Sequence, residues 1–409
     1  MSSASNTELK KTNLADKHLA LGGNMVDFGG WLMPLWYKTG AVKEHMAVVS
    51  SAGLFDTSHM TVVMAAGPNV KEFLNFAVTR DIGDLAPGRA AYGIMLNEKG
   101  HAIDDVLVYP LSETCYGLVH NAGMGDVVIK HLRTLPGAEQ IAFKNCMGEM
   151  GKLDIQGLSA LEILRPLVED ADQVFEKMPY FSFKGDFDFT RSRTRLKGGC
   201  PILLSRTGYT GELGFEIFMP TMELVAIWDM LLEAGGDRLL PCGLAARDSL
   251  RTGAVLPLSH QDIGPWPFIN TPWNMTLPLD EAGSFTKNFN GRQALDPKTA
   301  GHTLPFVGFD PRKVETENAR VYFEGEEIGR VLTAVADMAI GRVDGKVVGL
   351  ASPDRPADWN PKGLVCGFVK VKKHLPAGSI ITLKDSRREL KAEICVDIRP
   401  NRSARKKLN

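Results

Sequence analysis

The sequence has 409 residues, 44% hydrophobic and 23% charged, and its 47 basic and 48 acidic side chains leave a formal net charge of −1. That length exceeds one ordinary core, so two or three domains are expected, and the charge balance excludes a global pull toward nucleic acid or an anionic membrane. No apolar run approaches a membrane span, and six cysteines with no CxxC pair exclude a disulfide or zinc framework and point to a reducing, cytoplasmic setting. The start, "MSSASNTELKK", is polar and lacks the apolar core of a signal peptide. "EHMAVVSSAG" reads as a helix stopped at Gly53, and "TVVMAAG" as a strand and turn. "NVKEFLNFAV" carries Val70, Phe73, Leu74 and Val78 at helical spacing. "AAYGIMLNEKGHAIDDVLVYP" reads as a hairpin about the turn Asn97 to Gly100. "TMELVAIWDMLLEAGG" is the clearest helix, with a stripe of Leu224, Trp228, Leu231 and Leu232, a cap at Thr221 and a stop at Gly235. After about residue 300 the pattern turns to short strands, which predicts a separate C-terminal β domain, a barrel, with "ASPDRPADWNPKG" as a long loop inside it. The basic end, Arg402 to Lys407, reads as a solvated tail.

Three stretches are chemically suggestive. In "HAIDDVLVYP" alternation puts Asp104 with Val106 and Val108, and Asp105 with Leu107 and Tyr109. Taken alone, both acids suit the turn before a strand; a buried carboxylate would need a cationic or N–H-rich partner. In "SRTGYTGELGFEIF" the glycines permit close backbone approach, and Glu216 sits inside an apolar run. A carboxylate there can accept two parallel N–H bonds from a heterocycle. In "PCGLAARDSLR" Arg247 and Arg251 share a helical face, a pattern that is most often a surface ion-pair cluster. His59 in "DTSHM" reads as a hydrogen-bonded scaffold residue. Neither a P-loop, GxGxxG, HExxH nor GxSxG occurs, and no metal site is expected.

In order along the chain, "MVDFGGWLMPLWY", "AGLFDTSHM", "AAYGIMLNEKG", "IDDVLVY", "SRTGYTGELGFEIF", "CGLAARDSLR" and "FNGRQAL" resemble the aminomethyltransferase superfamily, that of the glycine cleavage system T-protein. The resemblance implies an α+β fold with three domains in a ring. Mixed α/β folate-binding domains, two interleaved subdomains, would occupy residues 1–298, and a C-terminal β-barrel residues 299–409. It implies tetrahydrofolate as cofactor and transfer of a one-carbon group to its N5, with Asp105 as the catalytic carboxylate and Glu216 on the pterin. Met60, Tyr92, Leu107, Tyr109, Asn121 and Tyr209 would line the folate pocket, with Arg247 nearby.

The chain also departs from the family pattern. Thr252 and Gly253 replace a usual Leu-Glu, and Ser259, His260 and Gln261 stand where Tyr-Gly-Gln is usual. "GPWPFINTPW" adds Trp266 and Trp273. These changes fall in the segment expected near the one-carbon donor. Two enzyme readings therefore stand: a glycine-cleavage T-protein served by a lipoylated carrier protein, or a demethylase taking methyl from a small O-, S- or N-methyl donor. In the second, His260 is a candidate acid–base residue, although a surface histidine is the commoner case. A non-catalytic folate-binding accessory protein is the rival from another class. The reactive-cysteine motif of such relatives is missing: Cys242 sits in "PCGL" and Cys366 in "VCGF".

Overall fold

A computed structural model describes residues 8–408; the first seven residues of the polar N-terminal stretch lie outside it. Two antiparallel-rich sheets and a closed barrel form the frame. The first sheet has five strands in the order Ala91–Leu96, Ala102–Ser112, Cys115–His120, Thr61–Ala66 and Ala142–Asn145. The predicted hairpin is its edge, with Tyr92 opposite Leu107 and Ile94 opposite Asp105. One face carries Val63, Val106, Val108 and Leu118 against the helices Val70–Ala77 and Gly125–Leu132. The other presents Val62, Leu107, Tyr109 and Val119. Strict alternation of side chains produces this division.

The second sheet has six strands: Phe183–Lys184, Leu203–Ser205, Gly214–Pro220, Met150–Gln156, Ala52–Asp56 and Leu239–Pro241. Phe215, Ile217, Leu153 and Ile155 turn to a core shared with the helix Leu224–Gly235, where Trp228 is fully buried. The alternate residues, Glu216 and Phe218 on one strand and Lys152 and Asp154 on its partner, share the opposite face by the same alternation, and Asp154 pairs directly with Glu216. Phe218 and Leu203 meet Tyr109 and Leu107 of the first sheet in a common cluster. The two sheets therefore face each other across the surface that holds the candidate site.

Six strands close the C-terminal barrel: His302–Gly308, Leu364–Val371, Glu326–Asp337, Arg320–Phe323, Ile380–Lys384 and Glu389–Ile394. The barrel expectation holds. Several local expectations are corrected. The helix read as ending at Gly53 ends at Ser50, and Gly53 is buried within a strand, because a Cβ there would meet Val48 and Cys242. Thr221 does not cap the long helix; a 3-10 turn, Thr221–Glu223, leads into it, and Gly236 with φ 50° follows its last residue.

The basic tail is not simply a solvated end. Ser403 is fully buried, donates from its N–H and hydroxyl to Glu212, and accepts from the Leu213 N–H. The Ala404 N–H donates to the Gly211 carbonyl, and Arg206 donates to the Lys406 carbonyl. Only the side chains of Arg405, Lys406 and Lys407 are exposed. Backbone groups thus tie the tail to the glycine-rich loop, which composition could not reveal.

Candidate active site

The strand bearing the two acids is bulged at its start: Leu96 pairs with Ala102 but Met95 pairs with Asp104, leaving Ile103 extra. Asp104 is fully buried and Asp105 half-buried. Asn121, just past the end of the neighbouring strand, joins them. Its side-chain Nδ2 donates to Asp104 Oδ1 at 2.7 Å and to Asp105 Oδ1 at 2.5 Å, and its backbone N–H donates to Asp104 Oδ2 at 3.1 Å. One amide thus spends both of its N–H groups holding two carboxylates together. His120 Nδ1 lies 3.2 Å from Asp104 Oδ2. The Tyr92 hydroxyl donates to Asp105 Oδ2 at 2.8 Å.

Burial, and next the charge of Asp104, push the Asp105 carboxyl up to about 7, while Tyr92, Asn121 and, least, His120 oppose the rise. Burial and the neighbouring Asp105 likewise raise the Tyr92 hydroxyl, which therefore stays a donor. Asp104, with Asn121 and His120 on its oxygens, is held in place by its contacts. Its charge nonetheless acts on its neighbour, a coupling that alternation alone does not suggest.

The second cluster stands on the facing sheet. Lys152 Nζ lies 2.5 Å from Asp154 Oδ1 and 3.0 Å from Glu216 Oε2. Arg247 Nη1 donates to Asp154 Oδ2 at 2.8 Å, and the Thr57 hydroxyl to Asp154 Oδ1 at 2.9 Å. Burial pushes Asp154 up, but Lys152 and Arg247 outweigh it and hold it low. Burial also raises Glu216, with Lys152 opposing. Among the described residues Glu216 Oε2, though near Lys152, has no hydrogen bond of good geometry. Lys152 and Asp154 were missed in the sequence. The signal was present in "GKLDIQ", where polar residues alternate with apolar ones inside a strand that reads as buried.

Tyr209 lies between the clusters. The Arg247 guanidinium sits 4.8 Å from its ring centroid, and its hydroxyl donates to the Pro257 carbonyl. Burial raises its hydroxyl, and Asp105 adds to the rise. Met60 and Leu107 are half-buried on the facing surface. Tyr109 lies deeper: it is fully buried, packed on Phe183, Phe187 and Phe218, and bonded to the Ser205 hydroxyl at 3.1 Å. His59 is buried edge-on against Phe28, and among the described residues its Nδ1 has no partner, so the hydrogen bond expected of it is not found at that atom. Burial holds its imidazole down at about 4.

The two arginines are not a surface ion-pair cluster. Arg247 is half-buried, and Arg251 is almost fully buried, bonded to Asp248 at 2.8 Å and to Asp262. Asp262 accepts from Thr333 of the barrel at 2.6 Å, so Arg251 braces the joint between domains. A bulge between Val331 and Thr333 accompanies this contact. Ser259–Ile263 forms a π turn that places His260 Nε2 3.9 Å from Asp104 Oδ1. Trp273 is fully buried, donates to the Val255 carbonyl at 2.9 Å and packs on Phe368. The Trp266 ring lies 5.1 Å from Lys370 Nζ and 5.3 Å from the Arg330 guanidinium, cross-strand neighbours on the barrel. The aromatic insertion therefore fills the joint with the barrel.

This geometry has counterparts. The family model described as GCVT N-terminal domain matches residues 14–267. An aminomethyltransferase of Symbiobacterium thermophilum is 38% identical over 80% of this chain and 86% of its own length. That of Alkaliphilus oremlandii is 33% identical over 95% of this chain and 96% of its own. The chain belongs to the aminomethyltransferase family. The crystal structure of the glycine cleavage system aminomethyltransferase T from Bartonella henselae matches with a TM-score of 0.76 and 25% identity, covering 95% of this chain and 97% of that one. The multi-domain arrangement of this family, with its C-terminal barrel, is thus that of the present chain. Its class is that of tetrahydrofolate-dependent transferases, carrying out folate-dependent one-carbon transfer. Among the described residues no helix is long and apolar enough to cross a membrane.

Proposed function

We propose that this aminomethyltransferase homologue delivers a one-carbon group to N5 of tetrahydrofolate with Asp105 as its catalytic carboxylate. Tetrahydrofolate, when bound, supplies the accepting nitrogen. The observation that carries the reading is the pairing of two unlike carboxylates across facing sheets. Glu216 offers a buried oxygen that, beside Lys152, has no hydrogen-bond donor of good geometry among the described residues, which fits the adjacent N–H groups of a pterin edge. Asp105 is held at both oxygens by donors, Asn121 and Tyr92. Such a fixed carboxylate stabilises developing positive charge without reorganising.

Tyr92, Tyr209, Leu107 and Met60 supply the flat and apolar surface between, Tyr109 backs it, and Arg247 orients Tyr209 and Asp154. Division into a folate-binding region, 1–298, and a barrel domain, 299–409, and a cytoplasmic setting belong to the same reading. The names of the relatives support an aminomethyl-derived donor, presented by a lipoylated carrier protein. A small O-, S- or N-methyl donor is the second reading. It is favoured by exposed His260 beside Asp104, whereas the tryptophan insertion, being buried against the barrel, no longer supports it. The accessory-protein reading is disfavoured by the care with which Asp105 is held.

The test is a donor screen. Tetrahydrofolate is incubated with aminomethyl-lipoyl carrier or with methylated small compounds, and 5,10-methylene- and 5-methyl-tetrahydrofolate are measured. Product from the carrier supports the first donor, and product only from a methyl compound supports the second. Asp105→Asn is expected to reduce turnover far more than folate affinity, and Glu216→Ala to weaken affinity first. Equal loss of both in Asp105→Asn removes the catalytic assignment.

A further inference from the structure

We propose that His260 is a positioning residue for Asp105, acting through Asp104 and Asn121 as the cation that balances the inner acid from the solvent side. The inference rests on Asp105 as the working carboxylate and names what sets its charge state.

Asp104 needs such a partner. It is fully buried, and its bonded neighbours are the N–H donors of Asn121 and the imidazole of His120. Among the described residues His120 Nε2 is buried without a partner, so an imidazolium at His120 would bury a second N–H with no acceptor. Arg251 is occupied by Asp248 and Asp262. Asp262, two residues beyond His260 on the same turn, is thereby already matched. The hydroxyls of Tyr92 and Tyr209 are raised by burial and bring no charge at neutral pH. His260 reaches Asp104 from the solvent side, opposite the buried His120 contact: it is exposed, on the π turn, with Nε2 3.9 Å from Asp104 Oδ1.

The coupling to Asp105 is short. Asn121 Nδ2 bridges the two carboxylates at 2.7 and 2.5 Å. An uncompensated charge on Asp104 therefore bears directly on the ionisation of Asp105. A cation at His260 relieves it. A unit charge one carboxylate away, screened by solvent at the surface, shifts the Asp105 midpoint by about half a pH unit. Because His260 lies at the surface, replacing it leaves the core untouched.

The experiment counts protons. Tetrahydrofolate binding is measured by calorimetry in paired buffers of different ionisation enthalpy between pH 5.5 and 8.5. If the bound folate favours the ionised form of Asp105, the complex releases its proton, and the upper limb of that release has its midpoint at the free-protein value. In His260→Gln this midpoint moves up by about half a unit. In His260→Lys, which fixes the cation, it returns to or below its wild-type position. The turnover profile moves with it in both variants. A midpoint unmoved in both overturns the proposal. Asp105→Asn separates the two assignments. If it abolishes the release while the His260 variants leave the midpoint in place, only the role of His260 fails. If the release survives in Asp105→Asn, the Asp105 reading itself fails.

Discussion

Asp105 should cost the fold stability in a manner that depends on pH. Its carboxyl is pushed up to about 7, first by burial and then by Asp104, whereas an unfolded aspartate titrates near about 3.9. The folded state holds the proton more tightly, so this group's contribution is present below about pH 4 and is lost as pH rises through about 7. Linkage puts the full penalty at about 4 kcal/mol at pH 8 and about 1 kcal/mol at pH 4.5. Solvent screens a half-buried group, and asparagine can accept from only one of the donors Tyr92 and Asn121, losing about 1 kcal/mol. Asp105→Asn is therefore expected to stabilise the protein by about 2 kcal/mol at pH 8 and by about zero at pH 4.5. Urea unfolding followed by tryptophan fluorescence at the two pH values reads this directly. An equal effect at both values, or destabilisation at pH 8, would refute the reasoning. A stabilised but inactive variant is the signature of a strained functional group.

Arg399 is buried and pairs with Asp337 at 2.6 Å and Glu212 at 3.3 Å. Arg399→Met takes the guanidinium from both carboxylates, leaving Asp337 with only His45 and Glu212 with only the Ser403 donors, and is expected to cost about 3–5 kcal/mol at pH 7. Burial pushes Asp337 up, but Arg399 and His45 outweigh it and hold it well below the usual range. That stabilisation is present above about pH 4 and is lost as pH falls through the folded value, so the variant's deficit in urea should shrink in acid; equal deficits at pH 7 and pH 3 would contradict this. Trp273→Ala should cost about 3–5 kcal/mol by opening a cavity against Phe368, and a loss under about 1 kcal/mol would mean that the ring does not secure the joint.

Much of the frame is legible in the chain itself. Alternation places Asp105 with Leu107 and Tyr109, and Glu216 with Phe218, on single faces, because side-chain direction in a strand is set locally. The Val70–Ala77 helix and the Leu224–Gly235 helix follow from apolar spacing, and the barrel from short strands separated by turns. The ordered motifs, spread across the chain, carry the family and with it the folate chemistry. What local pattern cannot specify is which faces meet. Arg251 looks like a surface residue in "CGLAARDSLR" and is buried only because the barrel supplies Thr333 and closes over it. The tail looks solvated until its backbone meets Glu212 and Gly211. His260 comes beside Asp104, and Asn121 between the two acids, through contacts 156 and 17 residues apart in sequence. The sequence alone therefore determined the strands, their faces and the residue types at the site. Tertiary structure alone raised the Asp105 carboxyl, because burial and the field of Asp104 depend on what the rest of the chain excludes and what it brings near.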